Sequence, residues 1–430
     1  MSSCTGIRIG KKRTVFFALL VSFLFFYYHL FEVSVLFYLA LVGLLISVFV
    51  LSDKEMFLMI SFLIPNLFMF KQLGSETALL GFFFVLVSIK EIILNFKRIA
   101  RIDLFLLLHI AFVLLTCILN EDRSLLNSLV RFVFNFSLFS YYATLFSPNG
   151  EIKQVVKMYF AGIITAVLMG IVFQSVRSNL YNGYFGGVNS GRNFFGAVIS
   201  PTVTIAMLYF LEKRISLLET ILYAATMILC IISIVLSHSR TSVLSLAIPF
   251  FMCLHCVVRS FWKFNKKLIP LLLLISIIGL IVYVNYHDAI FSLLARFGED
   301  DVQTGNDRFV LWKYYIGQTF RNPVSFLFGS GSAVVHYAVE HNTFIQCFYQ
   351  LGAISTVTLL GFIQQTFRRL TQRNKIRLTA SFPLLSVIFP YCGISALYSD
   401  QLSYLLVLSA LIMKDFSKTK AVNNLNRNFE

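Results

Sequence analysis

Charge is what this sequence has least of. Asp, Glu, Lys and Arg make up 13% of its 430 residues, about half the ~25% of an ordinary soluble domain. Hydrophobic residues reach 58% against the usual ~45–50%, and mean hydropathy is +0.79. That balance excludes a soluble enzyme and a disordered chain, both of which need charge to stay solvated. The seven cysteines lie mostly inside apolar runs, which excludes a disulfide-rich secreted domain. Alternation is missing too: the apolar stretches are continuous, so a membrane β-barrel is excluded. What remains is an all-α, polytopic integral membrane protein.

Acidic residues are scarcer still, 20 against 36 Lys and Arg, for a formal net charge of +16. In a soluble chain this would suggest nucleic acid. Here no nucleic-acid partner is expected, because Lys and Arg of membrane proteins collect in cytoplasmic loops. On the side assigned below to the outside there is no Asp-x-Asp, and Asp300 and Asp301 are adjacent, so they would point apart in an extended chain. No metal site and no cofactor are expected. Cys253 and Cys256, which flank His255, read as small buried hydrophobes.

What the chain does have is about fourteen apolar runs. They lie at roughly 14–31, 33–51, 56–71, 77–94, 102–119, 127–146, 154–173, 193–211, 217–236, 241–258, 268–286, 342–363, 379–396 and 401–413. The first follows a basic start (Arg8, Lys11, Lys12, Arg13) and has no small-x-small cleavage site after it, so it reads as an uncleaved span. Together the runs predict a single membrane domain over 1–430. With the N-terminus in the cytoplasm, about 26 of the 36 basic residues fall inside and about 10 outside, which predicts an N-in, C-in arrangement. Two outer segments stand out. Residues 174–192 are rich in Gly, Asn and Tyr, and residues 287–341 are too long and polar for a plain connector. Both read as functional outer loops.

The outer basic set is Lys71, Arg123, Arg131, Arg177, Arg192, Arg240, Arg296, Arg308, Lys313 and Arg321, eight of the ten being Arg. Arginine offers a planar fork that binds phosphate bidentately and keeps its charge when partly desolvated. Arg240 sits in Ser237-His238-Ser239-Arg240-Thr241-Ser242, between two spans with almost no loop, and Arg192 directly precedes a span. A charge near membrane depth costs ~2.5–3.5 kcal/mol and is normally paired or functional. The alternatives for these residues are snorkelling or an ion pair with Asp300, Asp301 or Asp400.

Within the long loop, Asn306 or Asp307 can cap a helix on which Arg308, Trp312 and Tyr315 share a face. A helix start with an arginine suits an anion, and Trp and Tyr suit a sugar ring or the membrane interface. The glycines of Phe328-Gly329-Ser330-Gly331-Ser332 permit a tight turn or a close approach to a ligand. The loop closes on His336, Glu340, His341 and Asn342, directly before an apolar run. His341 there can act as a general base, with Glu340 orienting it or serving as the base itself.

Ser-x-Ser-Arg at an outer junction, Arg-x-x-x-Trp in a long outer loop, a Pro-to-Phe-Gly-x-Gly stretch, and His-Asn before a span follow one another in order. This series resembles the O-antigen polymerase and O-antigen ligase superfamily of bacterial membrane glycan enzymes, over residues 185–360. The ligase-type pattern of His-Asn, nine residues and Gly is met by His341-Asn342 and Gly352, with Ser355 where ligases favour Gly, Thr or Tyr. Fourteen spans with two outer loops look more like the polymerase (Wzy-type) branch.

The resemblance implies a GT-C-like, metal-independent glycosyltransferase of the bacterial inner membrane. Its site would face the periplasm and use an undecaprenyl-diphosphate-linked oligosaccharide held among membrane lipids. Arg240, Arg308 and Arg192 would bind the diphosphate, His341 and Glu340 would be catalytic, and Trp312 and Tyr315 would meet sugars. A chain-length regulator protein would be a partner. A ligase and a lipid-linked oligosaccharide transporter are the other readings.

Overall fold

The computed structural model describes residues 4–70, 79–99, 103–148, 150–176, 192–212, 215–260, 268–295, 306–332, 342–371 and 378–427. Among them there are helices and turns but no strand. Among the described residues five helices are long and apolar enough to cross a membrane: Lys12–Phe31, Glu151–Phe173, Asn193–Leu211, Leu217–Ser237 and Thr343–Thr371. Shorter apolar helices cover Ser34–Val50, Leu104–Leu119, Arg240–Cys256 and Leu378–Tyr391.

Helix starts follow from local chemistry. Glu55 Oε2 accepts from the Ser52 N–H at 2.9 Å, the back-bond of a capping box that opens the helix Asp53–Leu63. Ser216 and Glu219 do the same for Leu217–Ser237. Asp103 accepts from the Phe105 N–H at 2.9 Å to start Leu104–Leu119. The start of Arg123–Thr144 is capped by Asp122, which accepts from the Leu125 N–H at 2.9 Å.

Helix breaks also have local causes. The run expected at 56–71 is an α-helix only to Leu63 and turns into a tighter 3-10 helix over Ile64–Phe70. Pro65 has no N–H to continue the ladder, and Asn66 Nδ2 donates instead to Phe62 O and Gly162 O, each at 3.2 Å. The run expected at 241–258 divides into Arg240–Ser245 and Ala247–Ser260, because Pro249 cannot donate back to the Ser245 carbonyl. The run at 268–286 continues to Ala295 after non-helical dihedrals at Tyr286, so the first residues of the expected 287–341 loop are helical.

The chain forms two compact units. One contains residues 1–80, 146–297 and 376–390. Its core is the helix Arg192–Glu212, flanked by Leu217–Ser237 and by the two halves of 240–260. The helix Asp53–Leu63 lies on Glu151–Val176, where Gly162 lets the Phe62 backbone come close.

The other unit contains residues 81–145, 298–375 and 391–430. Here we label α1 Leu104–Leu119, α2 Arg123–Thr144, α3 Asn306–Thr319, α4 Pro323–Phe328, α5 Thr343–Thr371 and α6 Asp400–Arg427. The centre is α5, which packs on α1, α3, α4 and α6, while α6 also packs on α2. Gly361 of α5 takes the Phe105 ring of α1 where a side chain would collide.

Candidate functional site

In the first unit the Ser-x-Ser-Arg element forms a hydroxyl cluster. His238 ends one helix in the left-handed conformation, φ +50°. Ser239 caps the next, its Oγ accepting from the Ser242 N–H at 3.4 Å and donating to Asn193 Oδ1 at 2.9 Å. Ser242 Oγ lies 2.8 Å from Ser239 Oγ, and Gly196 leaves the space that Ser242 fills. Arg240 is the first residue of Arg240–Ser245 and is half-buried. The cluster thus fixes the point from which Arg240 departs. Arg192 opens the helix Arg192–Glu212. The expected loop 174–192 lies mostly outside the described residues.

In the second unit α3 begins at Asn306, and Arg308 and Trp312 sit half-buried one turn apart on it. The Trp312 ring meets the Phe309 ring edge-on at 5.2 Å. Tyr315 departs from the sugar-binding expectation: it is 1% exposed, and its ring stands against Tyr349 of α5 at 4.7 Å. Its position on the inner side of α3 makes it part of the core. Glu340, His341 and His336 lie outside the described residues. The described chain resumes at Asn342, whose Oδ1 accepts from the N–H groups of Phe344 at 2.9 Å and Ile345 at 3.1 Å. Asn342 therefore caps α5 immediately after His341.

The glycine-rich turn after α4 is not a free anion cradle. Its amides are already spent on the protein itself. Gly329 donates to Ser325 O at 2.9 Å, Ser330 to Tyr349 O at 2.8 Å and Gly331 to Gln350 O at 3.2 Å, and Ser332 donates to Asp122 Oδ2. The carbonyls of Tyr349 and Gln350 accept these amides where α5 breaks at Gly352, φ +74° and ψ 175°. Only glycine suits that conformation and the approach of the Gly329 backbone. The spacing between Asn342 and Gly352 is therefore the length of one half-helix, capped at its start and broken at its end.

Other polar groups gather in the same unit. Asp122 lies in the turn between α1 and α2. Burial pushes its carboxyl up, but hydrogen bonds from Ser332, Leu125 and Ser124 outweigh it and hold the pKa below the ordinary carboxylate value. Asp400 at the start of α6 pairs with Arg131 of α2 and accepts from Asn135 Nδ2 at 2.6 Å. In α1, His109 reaches Ser355 O and the Tyr398 hydroxyl. None of these was singled out as a site residue by motif. Their common signal is a charged or polar side chain inside or beside an apolar run. Among the described residues no group of three or more His, Cys, Asp or Glu side chains could hold a metal ion.

Residues 225–360 match the family model Wzy_C, described as O-antigen ligase. The match supports the O-antigen polymerase and ligase superfamily for this chain, without separating the two branches. No curated protein and no solved structure matches.

Proposed function

We propose that this protein polymerises lipid-linked oligosaccharide repeat units of O-antigen or a similar surface polysaccharide. The observation that carries this is the coincidence of the family match, 225–360, with the series Arg240, Arg308, Trp312, Glu340 and His341, every member of which lies inside it. Arg192 alone lies outside.

In this reading the chain crosses the bacterial inner membrane about fourteen times, N-in and C-in, and works on the periplasmic face. The growing glycan is attached to undecaprenyl diphosphate. A hydroxyl of the incoming repeat unit attacks the anomeric carbon, a new carbon–oxygen bond forms, and the bond to the diphosphate oxygen breaks. His341, oriented by Glu340, takes the hydroxyl proton. Arg240 and Arg308, with Arg192 assisting, bind the diphosphate and stabilise the charge that develops as it leaves. Their planar forks match its oxygens. Trp312 stacks on a sugar, while Tyr315 supports α3 from beneath. The chemistry is metal-independent, since the arginines supply the positive charge. A chain-length regulator protein sets where growth stops.

The description of the matching model as O-antigen ligase favours one second reading, transfer of finished polymer to lipid A-core. A glycan ladder from cells lacking the protein separates them. The polymerase reading expects single-repeat chains only, with the ladder restored by wild type and not by Arg308→Ala at equal expression. Unattached long chains would establish the ligase instead, and an intact ladder would overturn both.

A further inference from the structure

Residues 392–399 join two helices of α-helical backbone without being one, and they belong to the same unit as α5 and α6. Four of these eight are nevertheless buried, among them Ile394 at 3% and Tyr398 at 6% exposure. Irregular backbone at membrane depth needs its polar groups satisfied by neighbouring protein, and here the neighbours are specific. Thr343 Oγ1 of α5 donates to Ile394 O at 2.7 Å and accepts from the Ala396 N–H at 3.2 Å. Gln346 Oε1, one turn on, accepts from the Leu397 N–H at 2.9 Å. The first turn of α5 is thus tied to this segment by three hydrogen bonds.

The far end is held by α1. Tyr398 has φ +62°, a left-handed conformation that a bulky side chain occupies only when its surroundings impose it. Its hydroxyl lies 2.8 Å from His109 Nε2, while His109 Nδ1 lies 3.0 Å from Ser355 O. A carbonyl can only accept, so Nδ1 carries the proton, and in the neutral ring Nε2 accepts from the Tyr398 hydroxyl. The ring of Tyr398 also packs on Phe132 at 4.8 Å. A joint that served only to connect two helices could relax with a glycine at 398. Instead, a strained tyrosine is locked by a directional bond.

We propose that His109 and Tyr398 are positioning residues for the glycosyl transfer. Their bond holds residues 392–399 against Thr343 and Gln346, and so sets where α5 begins, directly after His341 and Asn342. The proposal rests on the reading of His341 as the base, and it adds two residues that touch neither sugar nor diphosphate.

The test uses the full-length protein reconstituted in vesicles with an undecaprenyl-diphosphate-linked repeat unit as substrate. Tyr398→Phe keeps the ring packing and removes the hydroxyl. The expected result is a fall in kcat of at least about tenfold, with KM within about twofold and the folded fraction retained. In a His341→Ala background the same change is expected to produce no further loss. Thr343→Val is expected to lower kcat likewise and Thr343→Ser to restore it, which keeps the test open if Tyr398→Phe folds badly.

An unchanged kcat in both Tyr398→Phe and Thr343→Val, with His341→Ala inactive, would overturn the positioning role alone. So would a loss that merely tracks unfolding, or one equally large without His341. Normal turnover in His341→Ala would overturn the base assignment and this proposal with it.

Discussion

Asp400 has a side chain only 1% exposed, and its cationic partner Arg131 is 36% exposed. Breaking such a pair from the cationic side strands a buried carboxylate, which typically costs ~3–5 kcal/mol. Arg131→Ala should therefore lower the thermal midpoint in detergent sharply, whereas Arg131→Met combined with Asp400→Leu should recover most of it. An Arg131→Ala protein as stable as wild type would show that the pair contributes nothing.

Asp122 gives a pH-dependent counterpart. Its folded pKa lies below the ordinary value, so the native state favours the carboxylate. The stability it contributes is present above the unfolded value of ~3.9 and is lost as pH falls through the lower folded value. Asp122→Asn should flatten the acid limb of a thermal midpoint series followed from about pH 5 downwards; parallel acid limbs would contradict this. At this scale sequence reading separated little. Arg131 and Asp400 were each visible as outer charges, and an ion pair with Asp400 was among the alternatives, yet nothing in their spacing of 269 residues links them. Tyr315 was visible too, but helical periodicity cannot say which side of α3 faces protein.

At the scale of elements, most helices were legible from apolar run length, whereas the caps at Ser52, Asp103 and Ser216 emerged only from the structure. The breaks at Pro65 and Pro249 were not read, because both prolines sit inside runs taken as continuous, 56–71 and 241–258. Nor was the break at Gly352, because its cause lies across the structure in the backbone of Gly329 and Leu327. A methyl group at 352 would sit 2.5 Å from the Leu327 carbonyl oxygen, in a backbone of φ +74°. Gly352→Ala should thus destabilise by at least the ~1–3 kcal/mol of the strained conformation, read as a lower thermal midpoint. Gly279→Ala, with open space around it, should be neutral or slightly stabilising. Equal behaviour of the two variants would contradict the account of the broken helix. The same break explains why the Gly329–Ser332 turn, read in sequence as permitting a tight turn or a close approach to a ligand, donates its Ser330 and Gly331 amides to the open end of a half-helix.

For the whole molecule, membrane character followed from composition, and the superfamily from the order of Arg240, Arg308, Trp312 and His341-Asn342. The division into two units was hidden, because each unit is assembled from three separate stretches of chain and no local pattern announces that. The proposed polymerase needs no other protein to lengthen a lipid-linked glycan. The direct measurement is to incubate the purified, reconstituted protein with a single undecaprenyl-diphosphate-linked repeat unit and weigh the products by mass spectrometry. Products of two and more repeat units, with release of undecaprenyl diphosphate, are the predicted result. Transfer only when lipid A-core is added, or no transfer at all, would contradict it.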